Sequence, residues 1–197
     1  LPPIAAGGWV IPRISKVIPA RRITLKEISN LHPESHEEAP MPVTFDFDND
    51  AQTVYETLTD PQFLVDRCIA LGELSAECDI EESGSVITIK LVREIKRDLP
   101  RALAKVFNPV QTIEMTETWM PNGDNWSGNW VLKVLGQPVT VFGDFELGNT
   151  PGGCRYQVSH RARASIPLLG RTIEKYILSQ TSEGAFDELG YLRDHLG

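Results

Sequence analysis

Residues 112–147 read TIEMTETWMPNGDNWSGNWVLKVLGQPVTVFGDFEL, and this stretch decides the fold. Ile113, Met115, Glu117 and Trp119 share one face of an extended segment. Trp126, Gly128, Trp130, Leu132 and Val134 share a face of the next, and Val139, Val141, Gly143, Phe145 and Leu147 a face of a third. Period-two alternation of this kind marks strands with one buried side. Pro121-Asn122-Gly123-Asp124 is a hairpin turn, and Gly136 to Pro138 turns the chain again. Consecutive hairpins, rather than strands alternating with helices, predict an antiparallel sheet.

Working outward, Val86–Ile95 places Ile87, Ile89, Leu91, Arg93 and Ile95 on one face, and a moderate strand over 74–82 precedes it across a Ser-Gly turn. Leu99–Val106 reads as a short helical insert with Pro100 in its first turn. After Pro151-Gly152-Gly153, a last strand carries Cys154, Tyr156, Val158, His160, Ala162, Ala164 and Ile166 on one side, with Arg155, Arg161 and Arg163 on the solvated other. Near the start, Val43, Phe45 and Phe47 alternate as a strand. Asp50 then caps one short helix, and Asp60-Pro61 ends it and opens a second that stops at Gly72.

From Leu168 to His195 the spacing becomes helical. Ile173, Tyr176, Ile177, Gln180, Gly184 and Glu188 form a stripe, widened by Leu178, Phe186, Leu189 and Leu192. Such a helix is about 40 Å long and crosses a whole sheet. The fold expected is therefore α+β: a curved antiparallel sheet gripping a long C-terminal helix, with two short helices after the first strand. Gly128, Gly136 and Gly143 permit sharp bends, and a bent sheet closed by one helix leaves an internal space.

This order resembles the START-like, or SRPBCC, helix-grip superfamily, and in detail a bacterial branch of it that is a domain of unknown function. The residues that carry the resemblance are Val54-Tyr55-Glu56, Leu58-Thr59-Asp60-Pro61, Glu117-Thr118-Trp119, Gly136-Gln137-Pro138-Val139 and Gly143. Ile166-Pro167-Leu168-Leu169-Gly170, leading into Ile173-Glu174-Lys175, completes them. The resemblance covers about residues 42–197 and implies a deep apolar cavity with a ligand-binding or lipid-handling role. Some superfamily members are cyclases or hydrolases, but no catalytic set of theirs matches here.

The chain has 197 residues, a net charge of −8 and 41% apolar residues. That suits one core and argues against nucleic acid, which needs clustered Lys and Arg. No stretch approaches the length of apolar chain that spans a bilayer. Cys68, Cys78 and Cys154 are odd in number and form no CxxC pair, so a disulfide framework is not expected and a cytoplasmic setting is. Residues 1–40 are rich in Pro and show no sustained period, which reads as a poorly ordered extension before a domain at 41–197. Within it, Thr24–Leu31 can form a capped helix, and His32 and His36 sit in a polar linker. The first Met is Met41, immediately before the folded pattern, and is the expected natural start.

Four inward positions are polar: Arg93, Glu117, Tyr156 and His160. One reading is that they orient a ligand's polar end, with Glu117 or His160 even acting as acid or base. The other is that Glu117 pairs with Arg93 or His160 at the cavity rim, or that the strand register differs by one residue. Trp119 and Trp130 pack the sheet or line a cavity. Gly184 costs the long helix about 1 kcal/mol relative to Ala, and so admits a ligand or a bulky sheet side chain, or marks a kink. With Ile177, these eight residues are the candidate ligand site. Phosphate loops, nucleophile elbows and HExxH motifs are missing, and neither a cofactor nor a metal is expected. The expected partner is an apolar small molecule or lipid. The alternatives are a cyclase- or hydrolase-like enzyme using Glu117 and His160, and a protein-interaction or chaperone-like domain whose groove takes a partner's apolar segment.

Overall fold

The computed structural model describes residues 42–101, 103–105 and 107–197. The readings made for Thr24–Leu31, His32, His36 and Met41 lie outside the described residues.

The elements follow the expected order: β1 (Val43–Phe47), α1 (Ala51–Leu58), α2 (Pro61–Ala70), β2 (Ser75–Ser83), β3 (Val86–Lys96), β4 (Val110–Asn122), β5 (Asn125–Val134), β6 (Val139–Thr150), β7 (Gly153–Val158), β8 (Arg161–Ala164) and α3 (Gly170–Leu196). The strands make one antiparallel sheet in the order β1-β7-β6-β5-β4-β3-β2, with β8 also pairing β6. The fold is α+β, an antiparallel sheet with a long C-terminal helix, as the alternating pattern requires.

Local chemistry fixes the element ends. The Asp50 carboxylate accepts from the Thr53 N–H at 2.7 Å, and Asp60 accepts from the Phe63 N–H at 2.7 Å with Pro61 in the first helical turn. Gly123 and Gly136 turn the β4–β5 and β5–β6 hairpins at φ +64° and +77°. The edge strand β2 exposes Glu77, Asp79 and Glu81, and charges of one sign along a free edge discourage further strand pairing.

Two expectations need correcting, the last strand and Phe186. The predicted last strand is two, β7 and β8, broken at Ser159 and His160. The register on β6 nevertheless runs through unchanged, with Val158 opposite Phe145 and Arg161 opposite Phe142. At the break the Ser159 hydroxyl replaces a backbone carbonyl as acceptor from the Asp144 N–H, at 2.9 Å. The expected helical insert is present among the described residues as a 3₁₀ helix at Leu103–Lys105. Phe186, assigned to the apolar face of α3, is half exposed. Its neighbour on the true inner stripe is Leu189, which is buried, because at 100° per residue the stripe leaves Phe186 off the contact face.

Helix α3 is held at its two ends. Ile173 near the start, and Leu189 and Leu192 near the finish, are buried. At the start the Glu174 carboxylate accepts from the Ala164 N–H on β8 at 2.9 Å. At the finish Phe63 of α2 packs on Tyr191 and His195, with ring centroids 5.9 and 4.9 Å apart. Between these anchors Tyr176, Ile177, Gln180, Thr181 and Gly184 are only half buried, because the helix stands off from the sheet there.

Candidate functional site

That stand-off leaves a partly open cavity of about 300 Å³ between the middle of α3 and the inward sheet face. All eight sequence-predicted residues line it: Arg93, Glu117, Trp119 and Trp130 from β3 to β5, Tyr156 and His160 from the far side, and Ile177 and Gly184 from α3. They come together because the sheet registers them. Ile89, Glu117, Trp130 and Gly143 stand opposite one another across β3, β4, β5 and β6, and the continuous register puts His160 next in the same row. Tyr156 belongs to another row but reaches Trp119, with ring centroids 6.3 Å apart.

Arg93 and Glu117 do not pair, which corrects one reading of the sequence. Arg93 is level with Ile113, four residues along β4 from Glu117, a separation of about 13 Å along the strand. Arg93 instead donates to Glu73 at 2.9 Å and to Glu188 of α3 at 3.0 Å, and Arg67 of α2 binds the other Glu188 oxygen at 3.0 Å. Burial by itself would raise the Glu188 carboxyl, but Arg67 and Arg93 outweigh it and hold Glu188 below the ordinary carboxylate range. Glu73 has Arg93 as its direct ion-pair partner, and there burial wins and raises it.

Glu117 accepts a hydrogen bond from the Trp119 indole N–H at 3.0 Å. It is half-buried and lines the cavity, and desolvation raises its pKa above the ordinary carboxylate value; the Trp119 bond and the charge of Arg67 only partly offset this. Tyr156 is held well above the usual phenol range, first by burial and next by the Glu117 charge. Burial also holds His160 below its ordinary value, so the imidazole is neutral near pH 7. His160 sits edge-on to the Trp130 ring, centroids 5.5 Å apart, and makes no hydrogen bond with Glu117. The two are three strands apart, about 14 Å at the backbone.

The predicted hairpin core and the helix-grip order are thus both present, and they lead to a family. Residues 42–196 match the profile of a family described as a protein of unknown function (DUF2505). The chain belongs to that family. A DUF2505 chain of this fold is similar to TTHA0849 from Thermus thermophilus, with a TM-score of 0.55 at 15% identity over 78% of this chain and 94% of that one. It is also similar to CV1439 from Chromobacterium violaceum, with a TM-score of 0.45 at 13% identity over 78% and 94%. At these identities the first likeness speaks for the fold alone. No curated protein matches the chain.

Sequence reasoning missed Arg67 and Glu73 in this DUF2505 cavity. Arg67 had a signal: it sits among Phe63, Leu64 and Cys68 on the inward face of α2, where a charge needs a partner. Glu73 lies in the turn after α2 and carries no periodic signal. Cys68, Cys78 and Cys154 are free thiols, and burial pushes each up to about 11, so none is a reactive thiolate. Among the described residues no cluster of His, Cys, Asp and Glu is arranged to hold a metal, and no described helix is long and apolar enough to cross a membrane.

Proposed function

We propose that this domain binds an apolar small molecule or lipid in the cavity between α3 and the sheet, as the START-like resemblance implies, and carries it in the cytoplasm. The observation that supports this most is the treatment of Gly184. A Cβ added there meets nothing within 4 Å, whereas one added at Gly128 would run into the Thr118 carbonyl and the Phe145 ring. Gly184 therefore makes room for no side chain of the sheet. The space it faces is lined by apolar side chains such as Met115, Trp119, Trp130 and Ile177 together with a few polar ones, as small-molecule sites are. The volume lies at the small end of ligand pockets.

Native mass spectrometry of the protein from its own host is expected to show a stoichiometric apolar compound that organic extraction releases. An empty protein would count against tight carriage. Gly184→Phe supplies the companion test. Phe is a better helix residue than Gly by roughly 0.5 kcal/mol and here enters open space, so thermal stability should hold or rise. The same ring fills the cavity, so the compound should be lost. Retention of the compound would show that it sits elsewhere.

A further inference from the structure

Exposed apolar side chains are ordinary when scattered, but here they are segregated. Of the large apolar residues exposed among the described ones, Ile69, Leu71, Leu74, Val110, Leu135 and Leu168 all lie at one end of the sheet, and only Phe186, out on α3, does not. This is the end where α2 finishes, β2 and β4 begin, β3 and β5 finish, and β8 runs into α3. Backbone bonds fix the rim. The Leu74 N–H donates to the Glu94 carbonyl at 2.8 Å, the Leu135 N–H to Thr112 at 2.9 Å and the Ser165 N–H to Pro138 at 3.0 Å. From β2 through β6 to β8 the rim spans five strand spacings, about 24 Å. Leu168 is the extreme case. It is fully exposed, and its φ of +65° is a left-handed conformation that favours glycine and strains a leucine. The fold holds an apolar tip outward against both backbone preference and hydration.

Charge is segregated in the same sense. Lys96, Arg97, Arg101, Arg171 and Lys175 stand at this end. The acids there are Glu94, Asp98, Glu174 and Glu73, of which Glu174 accepts from the Ala164 N–H and Glu73 pairs with Arg93. The opposite end carries Asp48, Asp50, Glu81, Glu82, Asp124 and Glu146, and its cation, Arg155, is bonded to Asp46 at 2.6 Å. In a chain of net charge −8 the result is a polarised molecule. An anionic surface attracts the first end and repels the second, which orients the domain before contact. Leu71, Gly72 and Lys96 are exposed and also line the cavity, so the cavity comes to the surface at this same end.

We propose that this end docks on the surface of an anionic lipid bilayer, with the apolar tips, Leu168 foremost, in the interface and the cations over the head groups. The cavity then opens toward the membrane. The inference goes beyond cavity binding and is tested without it. Apolar tips set singly among Lys and Arg around a broad rim suit lipid, where apolar insertion and head-group attraction add residue by residue. A protein interface centres instead on a contiguous apolar core with its charges at the edge.

The test is co-sedimentation of the full chain with phosphatidylcholine vesicles, with and without about 30% phosphatidylglycerol, in low salt and in about 1 M salt, where the Debye length is roughly 3 Å. The anionic vesicles should bind at least about tenfold more tightly than the neutral ones, and high salt should remove the difference. Leu168→Asn deletes the tip and suits a left-handed backbone, so the fold should hold while vesicle affinity falls about fivefold. Arg101→Glu with Arg171→Glu should abolish the preference for phosphatidylglycerol, and an acid at 171 suits the first turn of α3. Glu81→Gln at the opposite end should change vesicle affinity by less than about twofold. Failure of the unmodified chain to bind anionic vesicles overturns the proposal, as does unchanged binding by the Leu168 and double-charge variants. Sedimentation velocity tests the rival occupant: a dimer that Leu168→Asn dissolves would assign this end to a second copy and overturn the proposal too. The cavity reading stands or falls separately, on the compound that native mass spectrometry finds.

Discussion

Replacing Glu188 with alanine is expected to lower stability by about 3–5 kcal/mol, measured as a drop in the urea midpoint followed by tryptophan fluorescence. The size follows from what the carboxylate holds. Its two oxygens bind Arg67 and Arg93, whose side chains are 4% and 10% exposed. Removing it strands two buried guanidiniums on different elements, with only Glu73 left to serve Arg93. It also unties α3 from α2 and β3. The intact network is not thereby a large net source of stability. Arg67 Nε, Arg93 Nε and one Glu73 oxygen already lack partners, and desolvating four charges offsets much of their attraction. Replacing all four members together by apolar residues of similar volume should therefore cost far less than Glu188→Ala alone. If the single change proved nearly neutral, α3 would not be held by this cluster.

The same group sets part of the acid limb of stability. Glu188 has a folded pKa below its ordinary 4.5, so its contribution is fully present above that unfolded value and is lost as pH falls through the lower folded one. Glu73 and Glu117 act in the opposite sense, since their folded values are raised: each favours the fold at low pH and costs stability once the pH passes its folded value.

How much of this the sequence disclosed depends on the kind of interaction. Each strand buries one face, so alternation alone assigned Ile113, Met115, Glu117 and Trp119 to the inside, and the structure agrees. The helical stripe of α3 was legible for the same reason, apart from Phe186 at its margin. The alignment of strands was not, because nothing local in β4 or β7 says that Glu117 and His160 share a row, or that Arg93 lies two rungs away. Hairpin geometry decides that, and the register passes unchanged through the β7–β8 break. The charge cluster was half legible: Arg67, Arg93 and Glu188 each occupy an apolar stripe, and three buried charges of mixed sign imply a network. Which ones pair is fixed only when α2, β3 and α3 meet, and Glu73 joins from a turn that no period describes.

Gly143→Ala carries the second large effect. A methyl group usually helps a strand glycine by reducing the freedom of the unfolded chain. Here it would collide with the Ser159 carbonyl and lie 2.9 Å from the Trp130 indole nitrogen. The carbonyl cannot yield cheaply, since the Ser159 N–H donates to the Asp144 carbonyl at 2.8 Å and the Ser159 hydroxyl accepts from the Asp144 N–H. Moving it breaks the point where the chain passes from β7 to β8, and it shifts Trp130 and His160, which line the cavity. The expected loss is about 2–3 kcal/mol, or roughly 1 M in the urea midpoint. Gly184→Ala is the control of opposite sign. That glycine has helical neighbours and open space, so alanine there should gain about 1 kcal/mol. Opposite signs at the two sites would separate a glycine required by the backbone from one that leaves room for a ligand. A neutral or stabilising Gly143→Ala would mean that close approach is not what bends the last strand over the cavity.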